Sequence, residues 1–135
     1  AAIALASLIS PDVSIWTGLA AAIGHCYPIF AGFKGGKAVA TMFGFLLATS
    51  IFTFQNAWYL IIPLAAFLLL LVLFKMVSLA SMAAALCSSI FISVMQMDQL
   101  QIMIASWLMT ILVIYRHRSN IVKIKNGQEN KVSWL

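Results

Sequence analysis

Acidic residues are almost missing from this sequence: Asp12, Asp98 and Glu129 are the only ones in 135 residues. Together with eight Lys and Arg, they bring the charged share to 8%, where a soluble domain carries about 25%. So few charges cannot cover the apolar remainder, and an ordinary soluble domain is excluded. Intrinsic disorder is excluded as well, because it needs low hydrophobicity and high net charge. Cysteine is scarce too. Cys26 sits beside a Gly-rich loop and Cys87 in the middle of an apolar run, which argues against a disulfide between them. No CxxC or HExxH spacing offers a metal site. The opening AAIALASLIS has no basic segment before it, so it does not read as a signal peptide. It also starts on Ala rather than Met, and the simplest reading is the trailing end of a helix whose beginning is missing.

What the chain has instead is hydrophobicity: 64% of residues are apolar and the mean hydropathy is +1.06. A bilayer is the solvent this composition suits. One span takes about 20 apolar residues, so there is room for five or six. The expected fold class is all-α, a polytopic helical membrane protein forming a single domain over 1–135. Its spans are read at 13–23, 38–54, 57–74, 77–97 and 99–115, with part of another at the N-terminus. Ser10-Pro11-Asp12 reads as a turn and helix start with Asp12 as the cap. Gln55-Asn56, Lys75 and Asp98 punctuate the later spans, and Pro63 is tolerated inside one of them.

The net charge of +5 does not make this a nucleic-acid binder, since no polar basic domain surrounds the cations. They fall in a few places: Lys34 and Lys37, Lys75, then Arg116, Arg118, Lys123, Lys125 and Lys131. Placing the Lys34/Lys37 loop in the cytoplasm and alternating the spans puts every Lys and Arg inside, with Asp12 and Asp98 outside. Polar groups then converge on one face. His25, Lys34 and Lys37 come from the loop at 24–37, Lys75, Ser78 and Ser81 from a helix start, and Arg116, His117, Arg118 and Asn120 from the tail.

Within that face, Lys34-Gly35-Gly36-Lys37 is the most informative run. Successive glycine N–H groups can form an anion nest, and the helix starting near Ala38 would add its positive end. The pattern is not a Walker A loop. A plain cytoplasmic turn carrying positive-inside lysines accounts for it about equally well. Arg116-His117-Arg118 reads either as a stop-transfer flank on anionic lipid or as phosphate recognition by Arg. Ser78 and Ser81, three apart, suit close helix packing. His25 and Cys26, being adjacent, do not form a credible base and nucleophile.

GHCYPIFAGFKGGKAVAT at 24–41 closely resembles the second motif of the bacterial acyl-phosphate:glycerol-3-phosphate acyltransferases, the PlsY family. RHRSNIVKIKNGQE at 116–129 resembles the third motif of that family, and VSLAS at 77–81 is similar to a segment carrying a family serine. The likeness covers essentially the whole chain. Ala38 stands where Gly is common in the motif, and Lys123 where Arg is common, which keeps charge but loses the planar fork. The family's first motif, a GSGN-like stretch in an early loop, is not found. The chain therefore looks like the C-terminal part of a longer, seven-helix protein, and by itself is expected to be inactive.

The resemblance implies a membrane enzyme that moves an acyl group from acyl phosphate to the 1-hydroxyl of glycerol 3-phosphate. Lysophosphatidic acid and phosphate are released at the cytoplasmic face of the bacterial inner membrane, in the first acylation step of phospholipid synthesis. It implies no cofactor, a functional link to the enzyme that makes acyl phosphate, and membrane lipids as surroundings. By the same resemblance Lys37, Ser78, His117 and Asn120 act on the substrates. Lys34, Gly35, Gly36, Arg116 and Arg118 hold phosphate, and His25 and Glu129 support the site. A reading from another class is a membrane anion transporter or lipid-binding scaffold without catalysis.

Overall fold

The computed structural model describes residues 2–32 and 35–134. Among these residues all regular secondary structure is helical: α1 Ala2–Ser7, α2 Pro11–Cys26, a 3-10 turn Ile29–Ala31, α3 Val39–Phe52, α4 Trp58–Phe74, α5 Val77–Met95, α6 Leu100–Arg116 and α7 Arg118–Lys125. The polar punctuation in the sequence falls at the breaks between them. Asp12 is not the first cap. Ser10 is, its Oγ accepting from the Val13 N–H at 3.2 Å, because Pro11 takes the first helical position, where its fixed φ and missing N–H cost nothing.

Two helical stretches, Asp12–Ala31 and Val77–Met95, are long and apolar enough to cross a bilayer; a third qualifies if α6 and α7, bent by 57° at His117, are taken as one. The helices α3 and α4 are as apolar but shorter. The 14 residues of α3 reach about 21 Å, short of a hydrocarbon core of about 30 Å. A left-handed Ala38 starts α3 at φ 61° and a left-handed Lys75 ends α4 at φ 57°. The first is a position that glycine would suit better, since αL costs a residue with a Cβ roughly 1–2 kcal/mol.

Large apolar side chains face outward along the helices, among them Leu69, Leu73, Ile90 and Ile111. In water so much exposed apolar surface would drive aggregation; in lipid it is the normal exterior. Lipid removes the hydrophobic drive for helix association, leaving close packing and hydrogen bonds. The central helix, α5, uses both. It packs against α4 on one side and α6 on the other, through buried Ala80, Ser81, Ala84, Ala85, Ser88 and Ser89. Ser89 Oγ donates to the Ser106 carbonyl and Thr110 Oγ1 to the Ala85 carbonyl, both at 2.8 Å. The two hydroxyls lie 2.6 Å apart. Trp107, on the same seam, donates to Ser93 Oγ at 3.0 Å. Ser89→Ala is expected to cost about 1 kcal/mol in unfolding from mixed micelles. An unchanged transition would show that this seam does not hold α5 to α6.

The bundle has two chemically different ends. Asp12 and Asp98 line one cavity of about 450 Å³ with Gln99 and Gln101. The starts of α3, α5 and α7 meet at another cavity, which is lined by cations and hydrogen-bonding groups.

Candidate active site

That second cavity encloses about 430 Å³ and is lined by Lys37, Ser78, His117, Asn120, Glu129 and Lys131, with Val39, Val77, Ser81, Asn130 and Val132 completing the wall. Val39 is the first residue of α3, Val77 and Ser78 open α5, and His117 and Asn120 belong to the start of α7. Three helix N-termini therefore open on one space. Those of α3 and α5 each carry roughly half a positive charge and N–H groups with no partner inside the helix, whereas that of α7 follows directly on the C-terminal end of α6, whose opposite dipole offsets it. With the ammoniums of Lys37 and Lys131 against the one carboxylate of Glu129, the lining is net positive.

The polar side chains are linked. Lys37 Nζ donates to Asn120 Oδ1 at 2.6 Å. Asn120 Nδ2 donates in turn to Glu129 Oε1 at 2.7 Å, and Ser78 Oγ donates to the same oxygen at 2.6 Å. Burial raises the affinity of the Glu129 carboxyl for its proton. The hydrogen bonds from Ser78 and Asn120, and the charges of Lys123 and Lys37, outweigh that and hold it below the usual carboxylate range, so it is ionised at neutral pH. The tail beyond α7 is strapped down by this carboxylate and by the Val132 N–H, which donates to the Lys75 carbonyl at 2.7 Å.

His117 is buried at the bend between α6 and α7. Burial lowers its ring pKa; the Val113 carbonyl works against this, Lys37 works with it, and Glu129 works against it, leaving the ring below its ordinary value. The ring is therefore neutral at pH 7. Nδ1 lies 2.8 Å from the Val113 carbonyl, which requires Nδ1–H, so Nε2 carries the lone pair and acts as an acceptor.

Other residues singled out from the sequence lie elsewhere or act differently. The expected glycine nest is not formed. The Gly35 N–H donates to the Cys26 carbonyl at 3.1 Å and the Gly36 N–H to the His25 carbonyl at 3.2 Å, so both donors are occupied by the free carbonyl end of α2. Neither glycine has positive φ. What they supply is room: a Cβ on Gly35 would overlap the His25 carbonyl oxygen, and one on Gly36 would overlap the His25 ring. His25 is thus a packing neighbour of the loop, outside the cavity lining. Arg116 and Arg118 do not line the cavity either. Arg116 binds the Gly35 and Gly36 carbonyls. Arg118 stacks over Tyr115 at 4.6 Å and donates to the Tyr115 carbonyl at 3.3 Å. Lys34 lies outside the described residues. Both cysteines are free thiols.

Sequence reasoning passed over Lys131 and Asn130. No periodicity pointed to them: four successive residues, Glu129 to Val132, line the cavity, so no face alternates.

A helical bundle with an apolar exterior and a polar, net positive cavity at one end has the architecture of an integral membrane protein. The comparisons with known proteins make this specific. The family described as glycerol-3-phosphate acyltransferase matches residues 1–127, and the chain belongs to that family. The glycerol-3-phosphate acyltransferase of Listeria welshimeri is 44% identical over 126 residues, which is 92% of this chain and 60% of that protein. That of Staphylococcus aureus is 42% identical over 118 residues, 87% of this chain and 54% of that protein. A crystal structure of PlsY, an integral membrane glycerol 3-phosphate acyltransferase, in its glycerol 3-phosphate form superposes with a TM-score of 0.87 at 31% identity, covering 97% of this chain and 64% of that one. Its lysophosphatidic acid form gives 0.86 at the same identity. The chain thus spans less than two thirds of the length of these relatives.

Proposed function

We propose that this chain forms the larger part of an acyltransferase that moves an acyl group from acyl phosphate to the 1-hydroxyl of glycerol 3-phosphate. The observation that carries the reading is the convergence of Lys37, Lys131 and the N-termini of α3 and α5 on one cavity at the end of a lipid-exposed bundle. Two phosphorylated substrates need such a place, and the acyl chain needs the apolar surface beside it.

Acyl phosphate is already activated, because phosphate is a good leaving group, so no covalent enzyme nucleophile is required. The glycerol hydroxyl oxygen attacks the acyl carbon, the bond from that carbon to the phosphate oxygen breaks, and the departing phosphate takes the proton. Lysophosphatidic acid and inorganic phosphate result. The work left to the protein is positioning and stabilising charge on the carbonyl and the leaving group. Lys37 holds a substrate phosphate, Ser78 and Asn120 fix the polar wall, and the His117 Nε2 lone pair orients the hydroxyl. Glu129 keeps Ser78 and Asn120 in place.

The positive-inside pattern supports a cytoplasmic site in the bacterial inner membrane, where this would be the first acylation of phospholipid synthesis. It also implies a functional link to an enzyme that supplies acyl phosphate. A transporter would carry its polar groups near the midplane. The mid-span hydroxyls of Ser89 and Thr110 are instead committed to helix carbonyls. The test is phosphate release from acyl phosphate and glycerol 3-phosphate by the intact polypeptide carrying this sequence, in detergent or lipid. Release that requires both substrates supports the reading. Binding or passage of glycerol 3-phosphate with no release in the presence of acyl phosphate overturns it.

A further inference from the structure

The loop before α3 is held from both sides. On one side, the Gly35 and Gly36 N–H groups donate to the last carbonyls of α2. On the other, Arg116 at the end of α6 donates from Nη2 to the Gly35 carbonyl at 2.8 Å and from Nε to the Gly36 carbonyl at 3.1 Å. The guanidinium also lies over the Tyr27 ring, 5.0 Å from its centroid, within the range of a cation–π contact. Two successive carbonyls match the planar fork of an arginine, which a lysine ammonium cannot reproduce. The next residue is Lys37, whose ammonium reaches Asn120 across the cavity. Arg116 itself is absent from the cavity wall.

We propose that Arg116 is a positioning residue: it clamps the Gly35–Gly36 segment between α2 and α6 and so aims Lys37 into the cavity, rather than holding a substrate phosphate itself. This rests on the acyltransferase reading only for its effect on turnover; the clamp itself stands on the geometry alone. It also ties three elements to one charge. The segment has glycines and no side chains of its own to anchor it, so its position is set by the carbonyls and N–H groups it exposes. Loss of the fork would free the segment on the α6 side while the helices, held by their own seams, remain.

The test uses the intact polypeptide with Arg116→Lys, Arg116→Gln, Lys37→Ala and the double variant Arg116→Lys/Lys37→Ala, each assayed for phosphate release. Arg116→Lys, though it keeps the charge, is expected to lose at least tenfold in kcat/KM and to be nearly as impaired as Arg116→Gln. In the Lys37→Ala background the same change should add less than threefold, because its route to the chemistry is already gone. Multiplying penalties, or near-parental activity of Arg116→Lys, would overturn the proposal in favour of direct phosphate binding or no role. Hydrogen exchange supplies a readout independent of turnover. The Gly35 and Gly36 amides should exchange at least tenfold faster in Arg116→Lys, with the α5 and α6 amides unchanged; unaltered exchange at the glycines overturns the clamp even if the parent proves to be no acyltransferase. If Arg116→Lys does not accumulate folded, Tyr27→Leu, which removes only the ring beneath the guanidinium, is read by the same exchange criterion.

Discussion

Lys37→Ala in the intact polypeptide is expected to lower kcat/KM for acyl transfer to glycerol 3-phosphate by at least about 30-fold, the equivalent of about 2 kcal/mol. Lys37 and Lys131 are the two cationic side chains that line the cavity among the described residues. Of these, Lys37 is held from both directions, through its backbone by the clamped loop and through its ammonium by Asn120 at 2.6 Å. A charge fixed before the substrate arrives stabilises developing negative charge without reorganisation. Removing it also leaves Asn120 Oδ1 without the donor it has here. Phosphate release at varied glycerol 3-phosphate measures the effect. Lys37→Arg separates charge from reach: partial recovery is expected, since the charge returns on a longer, planar group. Near-parental turnover by Lys37→Ala would remove this lysine from the chemistry.

Gly35→Ala is expected to be damaging as well, through packing rather than charge. The added Cβ would overlap the His25 carbonyl oxygen and lie 2.6 Å from the Cys26 carbonyl. Both are backbone groups at the end of α2 and have no rotamer by which to move away. The loop must therefore lift, breaking the hydrogen bond to Cys26 and displacing the carbonyls that Arg116 holds. Overpacking of this kind costs about 1–3 kcal/mol, and activity should fall at least tenfold as Lys37 moves with the loop. Gly36→Ala meets the His25 ring instead, a side chain that can turn, and should be milder. Gly44→Ala, with open space around the new methyl and a helical backbone, is the control and should be tolerated. Thermal unfolding in detergent together with the activity assay ranks the three. Equal behaviour of Gly35→Ala and Gly44→Ala would show that the close approach at Gly35 does not matter.

Helix limits were legible because apolar runs in a membrane chain stop where charge or amide side chains interrupt them. Spans read at 38–54, 57–74, 77–97 and 99–115 correspond to α3 through α6 within about two residues at each end. The alternation of basic and acidic punctuation likewise anticipated that Asp12 and Asp98 would share one end of the bundle and Lys37, Ser78, His117 and Asn120 the other. The use made of Gly35, Gly36 and Arg116 was not legible. A backbone N–H offers the same donor to a phosphate or to a helix carbonyl, and only the tertiary approach of α2 decides between them. Arg116 presents the same ambiguity: next to His117 and Arg118 it reads as part of an anion cluster, yet two carbonyls from a loop eighty residues earlier take its donors. Lys131 escaped notice because the tail after α7 shows no periodicity, and its position depends on Glu129 anchoring the strap.

That strap has a consequence for how the protein comes into being. Glu129, Asn130, Lys131 and Val132 form part of the cavity wall, and they are translated after every helix from α1 to α7. Packed helices alone leave Ser78 and Asn120 without the carboxylate that joins them, and Lys75 without the N–H that tethers the tail, until this stretch docks. Helix packing and completion of the cavity wall are thus separable steps of folding. A chain that ended inside α7 would keep the helices and lose the four successive residues that close one wall of the cavity.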